Sequence, residues 1–471
     1  MSDFPLINLT ISLLLPTIVG HALATLLCPR ISKEPFLLLA LTYGLGMGIL
    51  SQIMLLLGIA NIAYTRWTIG SFLVLTLVGT LIPLAKKQRT SFFQNTGKPL
   101  DQSSGWNAPA DPLIPLNKKQ KAFRLLGSLY IAYSILIIFL HSSTNLVKSW
   151  DSIATVTLKA KVFFFDHTLR HLPLSHISYP LHVSFLETWT ALNLGYWDEI
   201  LINAPIFLTC LSFLVVHYYF LKSKTNAAWA LGGVCLLLTS NFFTYHASIP
   251  YADFSLMYYN CAAIALILLW AEKNDHGVLI LAALFSGLMS FVKLEGTLYL
   301  GLHTLFFILL LAGIKKYTLK EKITNLFTFA IPSYGIAGVF HLYKMITGIT
   351  GMEGRLGPTW KTDLLQRSQI IIKNLVQTFF FSGNWNILWV ILLVGVLTNW
   401  SKIKQDREIR LLVALLGMFL VVYVAFFLFT PIYIDYHNTY NALSRTILHF
   451  FPLATWVIIL LFYPRSESNS P

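Results

Sequence analysis

At 471 residues, 56% hydrophobic and only 11% charged, the chain lies far from a soluble protein, which carries about 25% charged residues. A mean hydropathy of +0.66 and an aromatic content of 14% describe a multi-span membrane protein with two lipid–water interfaces to anchor. The net charge of +14 is not a nucleic-acid face, because most Lys and Arg sit in short loops between apolar runs, where they act as topology signals.

Runs near the ~20 residues that cross a bilayer occur at about 7–27, 36–58, 67–85, 123–141, 198–220, 227–245, 255–271, 277–292, 295–314, 326–347, 386–400, 410–430 and 447–463. The first lacks a basic start and is long enough to span, so no cleavable signal peptide is expected. Arg30 and Lys33 share a side with Lys86, Lys87, Arg89, Lys118, Lys119 and Lys121. Alternation puts Lys222/Lys224, Lys273, Lys315/Lys316/Lys320/Lys322 and Lys402/Lys404/Arg407/Arg410 there too, and the positive-inside rule makes that side the cytoplasm. The expectation is an all-α polytopic bundle of about thirteen spans, with the N-terminus outside and the C-terminus inside. Four segments follow: three spans in 1–85, a cytoplasmic linker at 86–122, a module at 123–314 with a large outer loop at 142–197, and a C-terminal membrane module at 315–471. The linker's Pro, Gly, Ser, Asn and Asp between about Ser91 and Leu116 read as disordered.

The outer loop is greasy yet charged. Its stretch KSWDSIATVTLKAKVFFFDH (148–167) holds Lys148, Asp151, Lys159, Lys161 and Asp166, and five charges at ~3 kcal/mol each would cost about 15 kcal/mol at the bilayer centre. A helix lying in the outer interface is expected instead, with Lys159 and Lys161 snorkelling from either flank of an Ile153/Val156/Ala160/Phe164 face. Such a helix suits a lipid-linked substrate with a phosphate head. PLHVSFLETWTALNLGYW (180–197) must also stay outside, or every later basic loop would turn outward. Cys28, Cys210, Cys235 and Cys261 show no paired spacing, so neither a disulfide framework nor a zinc site is expected. No metal-ligand pattern is evident, and a divalent-cation requirement stays open.

Further polar residues interrupt apolar runs. Glu187 reads either as the polar face of an interface helix or as a second acid that orients an acceptor or binds a cation. Asp253, with Tyr251 in IPYADF, reads as an acceptor contact or as an ordinary turn beside belt tyrosines. Lys293 and Glu295 break a run too long for one span; their i, i+2 spacing excludes simple helix pairing, leaving a substrate contact or a snorkelling turn. Arg445 and His449, four apart at the start of the last span, share a face suited to phosphate, or Arg445 anchors a helix end.

WDSIATVTLKAKVFFFD (150–166), YPLHVSFLETW (179–189), YADFSLMYY (251–259), GLMSFVKLEG (287–296) and SRTILHFFP (444–452) together resemble the C-type (GT-C) glycosyltransferase superfamily. The resemblance is to its bacterial branch related to the protein mannosyltransferases, glycosyltransferase family 39. It covers about 148–300 and, less fully, 440–455. It implies a GT-C-like fold in the cytoplasmic membrane, an acidic residue just after a span, and two interface helices. The implied reaction takes a sugar from a polyprenyl phosphate to a glycolipid, glycan or protein acceptor on the outer face. Asp151 matches the acid, though Ser152 stands where the family often has a second one. Ser178-Tyr179-Pro180-Leu181 replaces a His-Pro-Pro-like element, and no C-terminal periplasmic domain is expected after Arg465. Lys159, Lys161, Tyr179, Glu187, Tyr251, Asp253, Lys293, Glu295, Arg445 and His449 are the implied substrate-binding residues.

The chemistry suits Asp151. A phosphate leaving group needs no protonation, so one base suffices, unlike the carboxylate pair of glycoside hydrolysis. Asp151 could also cap the helix that begins at Ser152. An O-antigen ligase-like enzyme with a lipid-diphosphate donor, or a secondary transporter or lipid flippase, would dispense with Asp151; a transporter would also gather its charges near the midplane.

Overall fold

The computed structural model describes residues 4–94, 118–170, 177–349, 364–429 and 436–464; of the linker expected at 86–122, residues 95–117 lie outside them, while 86–94 and 118–122 are helical. Among the described residues every regular element is a helix. In chain order these are α1 (Pro5–Leu27), α2 (Pro35–Ile59), α3 (Arg66–Gln94), α4 (Lys118–Thr144), α5 (Leu158–Asp166), α6 (His182–Leu194), α7 (Ala204–Lys224), α8 (Ala227–Leu238), α9 (Asn241–His246) and α10 (Ala252–Lys273). The rest are α11 (His276–Met289), α12 (Leu294–Ala312), α13 (Leu319–Thr347), α14 (Leu364–Val376), α15 (Leu388–Thr398), α16 (Trp400–Gln405), α17 (Arg407–Phe429), α18 (Tyr436–Leu448) and α19 (Phe451–Phe462).

Nine of the described helices are long and apolar enough to cross a bilayer, and a tenth span exists if the bent pair Ala442–Leu448 and Phe451–Phe462 counts as one. The 51° bend between them has a local cause: Pro452 has no amide hydrogen for the carbonyl four residues back. The three further apolar runs expected as spans appear as α8, α11 and α15, of 12, 14 and 11 residues. At ~1.5 Å per residue each helix alone falls short of the ~30 Å hydrocarbon core.

The chain divides into two compact units. The described residues of unit 1 fall within Met1–Asn107, Phe139–Val216 and Ala247–Gly351; those of unit 2 fall within Ala108–Ile138, His217–His246 and Met352–Pro471. In unit 1 an aromatic core joins Tyr64, Phe163, Phe185, Trp189, Phe291 and Phe340. There α1 and α2 cross at contact distance through small residues, a common membrane packing mode. A Cβ on Gly46 would lie 2.0 Å from the Pro16 carbonyl oxygen, whereas one on Gly301 of α12 would meet nothing within 4 Å. Gly46→Ala should therefore destabilise the protein by about 1–3 kcal/mol, and Gly301→Ala should be neutral or slightly stabilising. Thermal melts in detergent compare them; equal melting temperatures would refute the tight crossing.

Within each unit, loops distant in sequence meet in pairs. In unit 1, Tyr317 Oη donates to Asn274 Oδ1 at 2.5 Å at one end of the helices, and Lys293 meets Asp253 at the other. The turn between α2 and α3 bonds to the 142–197 loop through Tyr64 N to His167 O, 2.7 Å, and Arg170 Nε to Asn61 Oδ1, 2.8 Å. In unit 2 the basic loops meet through Lys224 and Glu408 at 2.6 Å. Lys402 Nζ donates to the carbonyls of Leu460, Leu461 and Tyr463, placing a cation at the C-terminal end of α19, where the helix dipole favours one.

The second of the two expected interface helices is corrected. Every residue of α6 is buried. It packs against α1, α2 and α5, with Trp189 Nε1 donating to Ser12 O at 2.8 Å. At 13 residues it is too short to span, but it is a core helix and presents no polar face to an interface.

Candidate functional site

The 148–167 stretch is helical from Trp150, and its Ser152–Thr157 portion is a π-helix. A π turn disturbs the regular ladder of backbone bonds and often marks a functional position. Here α6 answers it with a polar row of i, i+3 and i+4 spacing. Ser184 Oγ donates to Val156 O at 3.0 Å, and Thr188 Oγ1 donates to Ala160 O at 3.3 Å. Between them Glu187 Oε1 accepts from Thr157 Oγ1 at 3.2 Å. Asp151 stands half-buried at the head of this segment. Its backbone is already helical (φ −68°, ψ −36°), and its side chain makes no capping hydrogen bond. The capping role is therefore corrected.

Lys159 does not snorkel. It is fully buried, its Nζ lies 5.9 Å from the centroid of the Tyr179 ring, and burial pulls its ammonium down to about 7. Lys161, two residues on, lies on another side of the helix. It is about half exposed, with Nζ 3.6 Å from Glu199 Oε1 and 5.8 Å from the Trp197 ring. The buried stripe keeps Val156 and Ala160, but its ends are Ser152 and Phe163. Ile153 is largely exposed and Phe164 half-buried.

Glu187 is 1% exposed, and its second carboxyl oxygen has no hydrogen-bond partner. Burial holds its carboxyl well above the usual carboxylate range. This is an inward-facing acid, and the polar-face reading fails because α6 has no solvent face.

Asp253, Lys293 and Glu295 form one ionic cluster. Lys293 Nζ lies 2.8 Å from Asp253 Oδ1 and 2.9 Å from Glu295 Oε1, and Asp253 and Lys293 are buried. The i, i+2 pair meets because Lys293 is extended (φ −154°, ψ 157°) at the N-cap of α12, outside the helix to which the spacing rule applies. Asp253 and Glu295 occupy the first turns of α10 and α12, where the helix dipole favours acids. Tyr251 is the half-buried N-cap of α10 and makes no side-chain cap bond. The snorkelling turn and the ordinary loop turn are both replaced by this enclosed triad.

Arg445 and His449 belong to unit 2. Arg445 is half-buried on α18. His449 is buried in the break after Leu448, with Nδ1 3.3 Å from Tyr423 Oη. The shared helix face is corrected, because the helix ends before His449.

One feature escaped the sequence reading. A cavity of about 730 Å³ in unit 1 is lined by Arg66, Trp67, Phe165, His167, Tyr196 and Trp197 among others, and by none of the candidate residues. The Arg66 guanidinium lies 4.7 Å from the Trp67 ring centroid. His167 Nδ1 donates to Tyr64 O at 2.8 Å. At ~1.5 Å per residue the Phe165 wall is about 20 Å along the helix from Asp151. The available signal was two aromatic–charged clusters, TRWT (65–68) and GYWDE (195–199), in loops already assigned to one side. Comparison with protein-family models, curated proteins and solved structures gives no match to this chain.

Proposed function

We propose that the protein is a GT-C-like membrane glycosyltransferase. It moves a sugar from a polyprenyl-phosphate donor to a glycolipid, glycan or protein acceptor at the outer face of the cytoplasmic membrane. The observation that carries this reading is the half-buried Asp151 carboxylate, not used as a cap, at the head of a π-turned segment that buries Lys159. In the reaction the acceptor hydroxyl gives its proton to Asp151 and its oxygen bonds to the anomeric carbon. The bond from that carbon to the phosphate oxygen breaks, and the polyprenyl phosphate leaves with the electron pair. Lys159 and Lys161 neutralise the phosphate, Tyr179 flanks Lys159, and Glu187 positions the segment through Thr157. The Asp253–Lys293–Glu295 cluster with Tyr251 serves the acceptor.

The thirteen-crossing topology belongs to the same proposal. Support comes from α11: it runs between the end marked by Asn274–Tyr317 and the end marked by Lys293–Asp253, the two ends that α10 and α12 connect. A short helix with its Ser290–Lys293 turn thus makes the return trip.

The direct test is transfer of radiolabelled sugar from polyprenyl phosphate to membranes containing the protein; no transfer beyond membranes lacking it would overturn the reading. Lys159 adds a pH signature. The donor is a phosphodiester with no titration near neutrality, and it binds the ammonium form. Below pH 7 that form is present in the free protein, so donor affinity should be flat. Above it, affinity should fall about tenfold per pH unit, and Lys159→Gln should remove the slope. A flat profile from pH 6 to 9 in the native protein would exclude Lys159 as the phosphate contact.

A further inference from the structure

The helix α14 and the π turn that follows it bury a polar row. Arg367, Asn374 and Thr378, spaced by seven and four, are turned inward and buried, while Leu365, Ile372 and Phe381 are largely exposed together with Gln366, Gln369 and Lys373. The helix packs against α17 and α18, and Arg367 Nη2 donates to Phe427 O at 2.9 Å. Both amide atoms of Asn374 and the hydroxyl of Thr378 have no hydrogen-bond partner, nor do the buried indole N–H groups of Trp385 and Trp389. Buried polar groups are nearly always paired, so a cluster of orphans asks for a ligand or bound water. The backbone adds an independent sign. Gln377–Phe381 is a π-helix, the second beside the Asp151 segment among the described residues, and such turns recur at functional sites.

We propose that Arg367, Asn374, Thr378 and the two indoles form a binding site in unit 2 for the hydroxyl-bearing headgroup of a membrane lipid. An amide and a hydroxyl both donate and accept, which matches vicinal hydroxyls; the indoles donate only. The guanidinium tolerates or pairs with a phosphate. Residues 364–398 contain no Asp or Glu, so nothing in this segment matches a cationic headgroup. The exposed Leu365, Ile372 and Phe381 side chains suit acyl chains beside the headgroup. The site stands on residues other than those assigned to glycosyl transfer, and its test reads lipid binding alone.

The test titrates the full chain, purified in neutral detergent, with lipids of matched acyl chains by native mass spectrometry. The lipids are phosphatidylglycerol, a glucosyl diacylglycerol, phosphatidylethanolamine and diacylglycerol. The native protein should bind phosphatidylglycerol or the glucosyl lipid at least about tenfold more tightly than the other two; which of the two wins distinguishes a phosphate-linked from a glycosidic headgroup. Asn374→Leu with Thr378→Val should lose that preference. Without added lipid it should melt at or above the native temperature, because apolar isosteres relieve unsatisfied buried groups. The single Thr378→Val variant gives a milder form of both effects should the pair fail to fold. Absence of headgroup preference in the native protein, its retention in the variants, or its loss together with a lower melting temperature would each overturn the proposal.

Discussion

Asp151→Asn should fold, insert and melt like the native protein, yet lose on the order of 10²–10⁴-fold in transfer rate at saturating donor, the range for a missing general base. The amide keeps the shape of the side chain and removes its basicity. Asp151→Ala should lose the same factor and no capping stability, because the side chain makes no capping hydrogen bond. Agreement between the two variants is thus a specific expectation. Near-normal turnover of the Asn enzyme would end the role of Asp151 as base. A destabilised Ala variant beside a stable Asn variant would restore the capping role.

Lys293→Met should destabilise the protein by about 3–5 kcal/mol, the cost of breaking a buried ion pair by removing one partner. It would strand a fully buried Asp253 and the half-buried Glu295. Lys293→Met with Asp253→Asn should recover part of the loss, because the remaining buried carboxylate charge is removed. Equal melting temperatures for native and single variant would show that the cluster contributes nothing to the fold. Failure of the double variant to recover any stability would show that the loss came from packing rather than charge.

Much of the architecture was legible along the chain. Long apolar runs become helices because a backbone surrounded by lipid must satisfy its hydrogen bonds within each segment. The break near Lys293 was legible too, since the run from 277 to 314 exceeds one crossing. Side-chain directions were less accessible. The 3.6-residue repeat placed Val156 and Ala160 inward but missed Phe163, and no periodicity announces that α6 is enclosed on every side. A helix with an apolar exterior and one with apolar neighbours have the same composition.

By itself, then, the sequence determined the all-helical membrane class, the order of the apolar segments, and the polar residues that interrupt them. Burial free energy and backbone satisfaction act residue by residue, and composition is enough to read them. Only the tertiary structure decided what each interrupting charge does. It buried Lys159 against Tyr179, left Lys161 at the surface beside Glu199, and enclosed Glu187 opposite the π turn. It joined Lys293 to Asp253, 40 positions away, and turned Arg367, Asn374 and Thr378 inward. A charge in an apolar run is costly wherever it goes; which partner offsets that cost is set by helices distant in sequence, whose positions no local pattern encodes.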